Sequence, residues 1–381
     1  ALSAFRSEFY GETETEPLPV PTRHGRELML NFRPQEPAPP APLPVKPPEK
    51  KKKPVPPVPA PEPKPQPGTA APVPADSEDA WEKLTRQVAV SESILRQARS
   101  ALDRRRPLLL TGAPGTGKTL LARALAELYS GEKNFQLVTA DARWTSSDVI
   151  GGMRVKAGEG LRYSFSPGVV TQAATRHRES VKRSGNPFAL IIDEFNRANQ
   201  DEAFGRLLTL LDPTYRDVMP LVSTEDGASA PVYLPDDFLL IATMNDADAA
   251  RLHEIGAALS RRFITLHVGI PDNERAFLTS QFPETLLPVL DELYHFIGEG
   301  ASEDDTTRLR DALPIGTYFV KEALEMVKSG LSLDESIATL LRPLLGSLNR
   351  ERLTALHAHA IRCQFSSVAR ELESSLSQTL F

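Results

Sequence analysis

The segment Gly112-Ala-Pro-Gly-Thr-Gly-Lys-Thr119 decides the fold of this chain. It follows the short apolar run Leu108-Leu109-Leu110 and precedes a helical pattern, LLARALAELY at 120–129, so the order is strand, glycine loop, helix. Glycines at this spacing let successive backbone N–H groups turn inward around phosphate oxygens, and the start of the following helix adds its positive end. The pattern predicts a phosphate-binding loop formed by Gly112, Pro114, Gly115, Thr116, Gly117, Lys118 and Thr119.

Two side chains of this loop have specific chemical roles. We expect Lys118 to reach the β- and γ-phosphates of a nucleoside triphosphate, and Thr119 to place its hydroxyl on Mg²⁺. A chance match to this pattern in a chain of this length has a probability on the order of 1% at ordinary residue usage. The sequence therefore predicts a nucleotide site.

A second apolar run, FALII at 188–192, ends in the acidic pair Asp193-Glu194. Carboxylates at the carboxyl end of a parallel strand lie at the crevice where such sheets bind ligands. We expect Asp193 to hold Mg²⁺, usually through water, and Glu194 to act as the general base for an attacking water. The alternative is a solvated strand end, which the phosphate loop upstream makes less favourable.

Two further motifs follow along the chain. A third apolar run, FLLIA at 238–242, ends in Thr-Met-Asn, and the amide of Asn245 is expected to orient the attacking water, with a simple turn residue as the alternative. Arg261 and Arg262 lie between a helix-like stretch and an apolar run. Paired arginines serve as a clamp for transition-state charge, often from a neighbouring subunit, and surface salt bridging is the alternative.

The prolines divide the chain of 381 residues into two parts. Of 34 prolines, 21 lie between Pro17 and Pro74 and 13 lie beyond them. Proline lacks an N–H donor and clashes with the preceding helical turn, so we expect residues 1–76 to be a disordered tail of polyproline character. The remaining residues are sufficient for two domains, which we expect at 77–271 and 272–381.

The composition excludes several classes of protein. A net charge of −6 argues against a surface that binds nucleic acid over its whole extent. The single cysteine, Cys363, excludes an intramolecular disulfide and fits a reducing compartment. There is no run of 18 apolar residues, and residues 1–10 lack the apolar stretch of a signal peptide. We therefore expect a cytoplasmic protein without membrane contact.

The spacing of apolar residues predicts one helix over Trp81–Leu102. After Pro271 it predicts further helices over 273–281, 284–298, 318–328, 333–348 and 350–376. A group of His357, His359 and Cys363 lies in the last of these stretches. Only His359 and Cys363 share a helix face, so we interpret the three as ordinary helix residues and not as a zinc site.

The order of the motifs resembles that of the AAA+ ATPases, and in particular the branch of the MoxR-type ATPases and McrB-type restriction motors. The resemblance rests on GAPGTGKT at 112–119, LIIDEFNRAN at 190–199, ATMN at 242–245 and LSRRF at 259–263. Two stretches are similar to hairpins of that branch: Ser147–Gly152 with Phe165–Gly168, which would face a central pore, and Met219–Pro235. The resemblance covers about residues 81–320. It implies an α/β fold of the P-loop NTPase, AAA+ type, with a three-layer αβα parallel sheet and a C-terminal helical lid.

By this resemblance, Lys118, Thr119 and Asp193 bind phosphate and Mg²⁺, and Glu194 is the catalytic base of an ATPase. Asn245 is the first sensor. Arg261 and Arg262 are candidates for an arginine finger that acts in trans. The resemblance therefore implies a homo-oligomeric ring, with a hexamer as the expected form and with active sites shared between subunits.

The lid departs from the MoxR-type pattern. MoxR-type lids carry an arginine as a second sensor, but Leu313–Phe319 at the corresponding place contains none, and Lys321 is a poor substitute. McrB-type sequences also tend to lack this arginine, and they use GTP. The loop contacts phosphates only, so ATP is expected as the commoner nucleotide of the wider class, with GTP as the alternative.

The resemblance implies a motor that hydrolyses ATP and remodels or translocates a macromolecule. A McrB-like motor would have a nuclease subunit as its partner, and a MoxR-like motor would act on a protein together with a von Willebrand A-domain protein. DNA contact is expected only through a partner or the pore. A non-hydrolysing, nucleotide-dependent scaffold is the main alternative. In a third interpretation the proline-rich tail binds an adaptor and the ATPase serves to oligomerise it.

Overall fold

A parallel sheet carries the nucleotide-binding part of the chain. The computed structural model describes residues 78–156, 162–224, 226–245, 259, 261–298, 309–313 and 315–378, and the expected disordered tail at 1–76 lies outside them. The strands are β1 (Leu108–Gly112), β2 (Phe135–Thr139), β3 (Gly151–Lys156), β4 (Arg162–Pro167), β5 (Ala189–Asp193), β6 (Leu239–Asn245) and β7 (Ile264–His267).

Five of these strands form one sheet in the order β2-β5-β6-β1-β7, and all neighbouring pairs are parallel. The strands β5, β6 and β1 are therefore adjacent, with their carboxyl ends at the same edge. The phosphate loop follows β1, the acidic pair begins at the last residue of β5, and Asn245 is the last residue of β6. The topology thus brings the three motifs together at one edge of the sheet.

The described helices are α1 (Glu78–Gln87), α2 (Glu92–Asp103), α3 (Lys118–Ser130), α4 (Ser146–Val149), α5 (Val169–Ser184), α6 (Gln200–Phe204), α7 (Glu274–Gln281), α8 (Leu287–Ile297), α9 (Leu309–Ala312), α10 (Thr317–Lys328), α11 (Leu333–Leu341), α12 (Arg350–Arg362) and α13 (Ser366–Gln378). Short 3₁₀ turns occupy Phe195–Arg197, Gly205–Leu207, Pro213–Tyr215, Glu284–Leu286 and Leu345–Ser347.

The sheet is covered by helices on both faces. Alternate residues of a strand point to opposite faces, and β1 shows this directly. Leu108 and Leu110 pack in one buried cluster with Leu121 of α3, whereas Leu109 packs in another with Val170 of α5. Because both faces are buried, the strands are continuous apolar runs. The expected three-layer αβα arrangement is confirmed.

The helices α7 to α13 form a separate apolar core, whose buried members run from Leu278 to Leu372. Among the described residues after Pro271 there is no strand. This arrangement agrees with the expected C-terminal helical lid.

The expectation of one helix over Trp81–Leu102 was wrong, because the structure divides it into α1 and α2. The segment between them buries Val88 and Val90, which are 2% and 3% exposed, in the cluster that covers one face of the sheet. Residues two apart on a helix point to nearly opposite sides, so a continuous helix would not bury both valines there. Ser91 is extended before α2 starts.

Two helices predicted in the lid are likewise interrupted. The stretch 333–348 ends as α11 at Leu341, shortly before Pro343, whose missing N–H and ring stop a helix. The stretch 350–376 divides into α12 and α13 at Gln364, which has a left-handed φ of 63°. The turn lets Phe365 bury its ring edge-on to Phe296, with the ring centroids 4.8 Å apart.

Both hairpins expected from the sequence are present in part. The strands β3 and β4 pair antiparallel from Gly151↔Pro167 to Lys156↔Arg162, and Val222 and Val232 form a bridge in the second segment.

His359 contacts the carbonyl of Phe296 at 2.9 Å, and the described residues contain no cluster of three or more His, Cys, Asp or Glu fit for a metal ion. None of the described helices combines the length and apolar character needed to span a membrane.

Candidate nucleotide-binding site

The phosphate loop has the backbone conformation that its glycines predict. Gly115 and Gly117 have positive φ values of 78° and 88°, and α3 begins directly after Gly117. Gly112 has a different task, because a Cβ atom there would lie 2.3 Å from the carbonyl oxygen of Val268. Its missing side chain lets the loop pass the end of β7. The loop is therefore held in a tight turn at the edge of the sheet.

Lys118 is 5% exposed, and its ammonium group lies over the loop. Its Nζ donates to the carbonyl oxygens of Gly112, at 2.9 Å, and Ala113, at 2.6 Å. A buried ammonium group needs such partners, because its charge is costly to remove from water. The charge is thus positioned at the phosphate loop itself.

A hydroxyl–carboxylate pair joins the phosphate loop to β5. Thr119 donates from its Oγ1 to Oδ1 of Asp193 at 2.8 Å, across 74 residues of sequence. Thr243, at the end of β6, also donates its hydroxyl to the same Oδ1. Among the described residues, Oδ2 of Asp193 has no hydrogen-bond partner. The structure therefore brings together the two side chains expected to bind magnesium and leaves one carboxylate oxygen available.

The oxygen set fits the expected metal. Mg²⁺ prefers oxygen ligands and retains several waters, so one or two protein oxygens beside substrate phosphates suffice. Thr119 and Asp193 offer a hydroxyl and a carboxylate in that setting. These two residues would hold the ion.

Glu194 lies where the chain leaves the sheet, with a left-handed φ of 52°. Its N–H donates to Oγ1 of Thr243 at 3.2 Å, and its carboxylate forms an ion pair with Arg197. Asn196, in the same turn, is 2% exposed and donates from Nδ2 to the carbonyl oxygen of Asn245 at 3.3 Å. The ends of β5 and β6 are thus connected by side chains as well as by the sheet.

A pocket of about 370 Å³ joins these groups. Its volume is within the usual range for small-molecule sites, about 300–1,000 Å³. The lining residues come from three regions: the phosphate loop and the strand ends, the end of α1 with the two residues after it, and the lid. They are Pro114–Leu120, Asp193, Glu194, Thr243 and Asn245; Gln87, Val88 and Ala89; and Phe277, Thr317, Tyr318 and Lys321.

Most residues predicted from the sequence line this pocket. Gly112 does not, and it acts through its close contact with Val268. Arg261 and Arg262 do not line it either. Arg261 is exposed, whereas Arg262 is partly buried and donates from Nε to the carbonyl oxygen of Leu208 at 2.9 Å. The two arginines therefore differ in exposure and in how their side chains are held.

Three residues that contribute contacts to the site were not predicted from the sequence. Thr243 and Asn196 are polar residues within quoted motifs, so their positions at strand ends were the available signal. Gly316 is the third: it lies against Gly115, and a Cβ atom on it would be 2.4 Å from the carbonyl carbon of Gly115. No local pattern marks such an approach between distant segments.

Comparisons with known proteins agree with this geometry. Residues 107–263 match the family model described as AAA domain (dynein-related subfamily). The Escherichia coli (strain K12) type IV methyl-directed restriction enzyme EcoKMcrB subunit is 32% identical over 216 residues, which cover 55% of this chain and 43% of that protein. The Bacillus subtilis (strain 168) type II restriction enzyme BsuMI component YdiS is 27% identical over 191 residues, which cover 41% of this chain and 54% of that protein.

The chain spans about half the length of these curated relatives. A crystal structure from Cytophaga hutchinsonii ATCC 33406 aligns over 69% of this chain and 92% of its own, at 18% identity and a TM-score of 0.38, which is too low to support an inference. The family match extends from the residue before β1 to the residue before β7 and includes all four motifs. Residues 107–263 are therefore a AAA domain of the dynein-related subfamily, and the chain is similar to McrB-type restriction components over about half of its length.

Proposed function

We propose that this protein is a Mg²⁺-dependent ATPase that works as a ring motor on a macromolecular partner. The observation that supports it best is the hydrogen bond between Thr119 and Asp193, with Glu194 next in the chain and all three lining one pocket. A hydroxyl and a carboxylate for the metal, beside a second carboxylate for water, form the set that phosphoryl transfer to water requires.

Each residue of the site has a separate role in the proposed hydrolysis. Lys118 and the loop N–H groups bind the β- and γ-phosphates, and Glu194 accepts the proton of the attacking water. Asn245 orients that water, and an arginine of a neighbouring subunit, Arg261 or Arg262, stabilises the charge that develops on the transferred group. Mg²⁺, held by Thr119 and Asp193, neutralises phosphate charge when bound.

A main-chain group in the pocket lining supports ATP over GTP. Ala89 is 6% exposed and lines the pocket, and its backbone N–H and C=O make no hydrogen bond within the described residues. Adenine presents an amino donor beside a ring-nitrogen acceptor, which a backbone C=O and N–H complement. Guanine presents two adjacent donors that a carboxylate would accept. The acidic residues in the lining, Asp193 and Glu194, lie at the phosphate end.

The partner is inferred from the relatives. Both are named as parts of restriction enzymes, one a subunit and one a component. We infer that this chain serves a nuclease partner in a restriction system. A von Willebrand A-domain partner stays the alternative, and cytoplasmic localisation and a hexameric ring belong to the same proposal.

The test compares wild type with Glu194→Gln and with the control Glu179→Gln, which alters an exposed carboxylate on α5. Glu194→Gln should bind ATP as wild type does and hydrolyse it at least about 100-fold more slowly, because the general base is lost. Glu179→Gln should match wild type. Competition of ATP and GTP for a fluorescent nucleotide measures base preference. Where a nuclease is encoded beside this protein, Glu194→Gln should also abolish nucleotide-dependent DNA cleavage by the pair.

Equal turnover in wild type and Glu194→Gln would refute the hydrolysis mechanism. Binding without turnover in wild type would favour the scaffold instead. Stronger competition by GTP than by ATP would contradict the assignment of the base.

A further inference from the structure

The hydroxyl of Thr243 lies where the main-chain pairing of β5 and β6 stops. The register of these two strands ends at Ile192↔Ala242, one residue before Asp193 and Thr243. On their outer sides both strands stay paired further: β5 with β2 to Thr139↔Asp193, and β6 with β1 to Gly112↔Asn245. The two strand ends therefore diverge at the point where the acidic pair begins.

The single hydroxyl group of Thr243 connects the two diverging strand ends. Its Oγ1 accepts the N–H of Glu194 at 3.2 Å, and its O–H donates to Oδ1 of Asp193. The directions are determined by chemistry, since an amide N–H only donates and a carboxylate only accepts. Thr243 is 2% exposed, so water does not compete for these bonds.

Each bond constrains one of the two acids. Oδ1 of Asp193 receives the hydroxyls of both Thr119 and Thr243, which orients the carboxylate and turns Oδ2 away from them. Glu194 has a left-handed backbone, which is unfavourable for a residue with a side chain and persists only where neighbours hold it. The bond from its N–H to Thr243 is such a restraint.

We propose that Thr243 is a positioning residue for the reaction: it sets the metal-binding and the water-activating carboxylates relative to the phosphate loop. The inference rests on the proposed function, because it concerns the site assigned there. Thr243 acts through Asp193 and Glu194, to which its hydroxyl is hydrogen-bonded. Small displacements matter here, since misplacement of a reacting group by about 1 Å costs about 100-fold in rate.

The experiment compares Thr243→Val, which keeps the shape of the side chain and removes both bonds, with Thr243→Ser, which keeps the hydroxyl. Thr171→Val is the matched control, because Thr171 is equally buried and donates its hydroxyl to the carbonyl oxygen of Ile150 outside the site. Three quantities are measured on the full chain: thermal stability, kcat and KM for ATP, and the Mg²⁺ concentration at half-maximal binding of a fluorescent ATP analogue.

Thr243→Val should lower kcat at least about tenfold while changing KM less than about threefold, because the phosphate loop is intact. It should raise the half-maximal Mg²⁺ concentration and leave nucleotide binding without Mg²⁺ unchanged. Thr243→Ser should restore both values to within about twofold of wild type. Thr171→Val should change stability alone.

The proposal is overturned if Thr243→Val keeps the wild-type kcat and Mg²⁺ dependence, if Thr243→Ser fails to rescue, or if Thr171→Val shows the same losses. If wild type binds nucleotide but does not hydrolyse it, the proposed function fails. The Mg²⁺ dependence of binding then tests Thr243 without turnover.

Discussion

Arg216 is a charged residue in an almost fully buried position, with 1% of its surface exposed. Its guanidinium donates to five carbonyl oxygens, those of Leu210, Leu211, Pro235, Asp236 and Phe238. Burial is the main cause that lowers the pKa of Arg216, to about 10, so the side chain is still charged at neutral pH. This residue ties the chain after α6 to the start of β6, the strand that ends at Thr243 and Asn245.

We predict that Arg216→Met lowers the free energy of unfolding by at least about 3 kcal/mol, because it leaves several buried carbonyl groups without a donor. Arg154→Met is the control: Arg154 pairs with Asp148 on the exposed surface of β3, and such pairs contribute about 1 kcal/mol or less. Urea unfolding followed by circular dichroism measures both. Coincident unfolding curves for the two variants would contradict the assignment of Arg216.

Between elements, the lid contacts the sheet domain at a pair of glycines, Gly316 and Gly115. Gly316 immediately precedes α10, and the N–H of Tyr318 in that helix donates to the carbonyl oxygen of Gly115 at 3.0 Å. Thr317 also lines the pocket, and its buried hydroxyl has no partner among the described residues. The lid thus contacts the phosphate loop through main-chain atoms, within the stretch 313–319, which contains no arginine.

We predict that Gly316→Ala weakens nucleotide binding by about threefold to tenfold, the value of one hydrogen bond between lid and loop. The added Cβ would lie 2.4 Å from main-chain atoms of Gly115, which cannot rotate aside as the end of a flexible side chain would. Gly346→Ala is the control in the same lid, because a Cβ there meets no atom within 4 Å. Titration with a fluorescent ATP analogue measures both affinities. Equal affinities in the two variants would show that this contact does not matter for binding.

At the level of the whole molecule, Arg261 and Arg262 bear on the proposed ring. Neither Arg261 nor Arg262 lines the nucleotide pocket, and Arg261 is exposed. Arg106 donates to the carbonyl oxygens of both, at 3.4 and 3.3 Å, which holds their backbone next to the start of β7. In the proposed ring they would complete a neighbour's site.

We predict that two inactive variants recover activity when mixed. Glu194→Gln supplies the arginines, and Arg261→Ala/Arg262→Ala supplies an intact Glu194, so a mixed ring contains complete sites at some interfaces. ATPase rate is measured against mixing ratio at fixed total protein. A control mixture, in which Glu194→Gln meets a triple variant that also carries Glu194→Gln, should stay inactive. A rate no greater than the sum of the separate variants would contradict shared active sites.

Patterns of neighbouring residues were enough to predict the fold and most of the residues of the site. The strand–loop–helix around Gly112–Thr119 and the acids after FALII depend on residues within a turn or two of each other, so spacing and residue type reveal them. The three-layer fold was predicted from the same apolar strands and helical stretches. The break between α1 and α2 did not, because the burial of Val88 and Val90 against the sheet outweighed helical periodicity.

The contacts that complete the site depended on the tertiary structure. Buried parallel strands are apolar throughout, so their composition does not specify which residue of β6 lies beside which residue of β5. That register places the hydroxyl of Thr243 on Asp193, 50 residues away, and the packing of the lid places Gly316 on Gly115. The sequence determined which chemical groups the site contains. Their relative positions were determined by strand register and lid packing, since both arise from contacts between segments far apart in the chain.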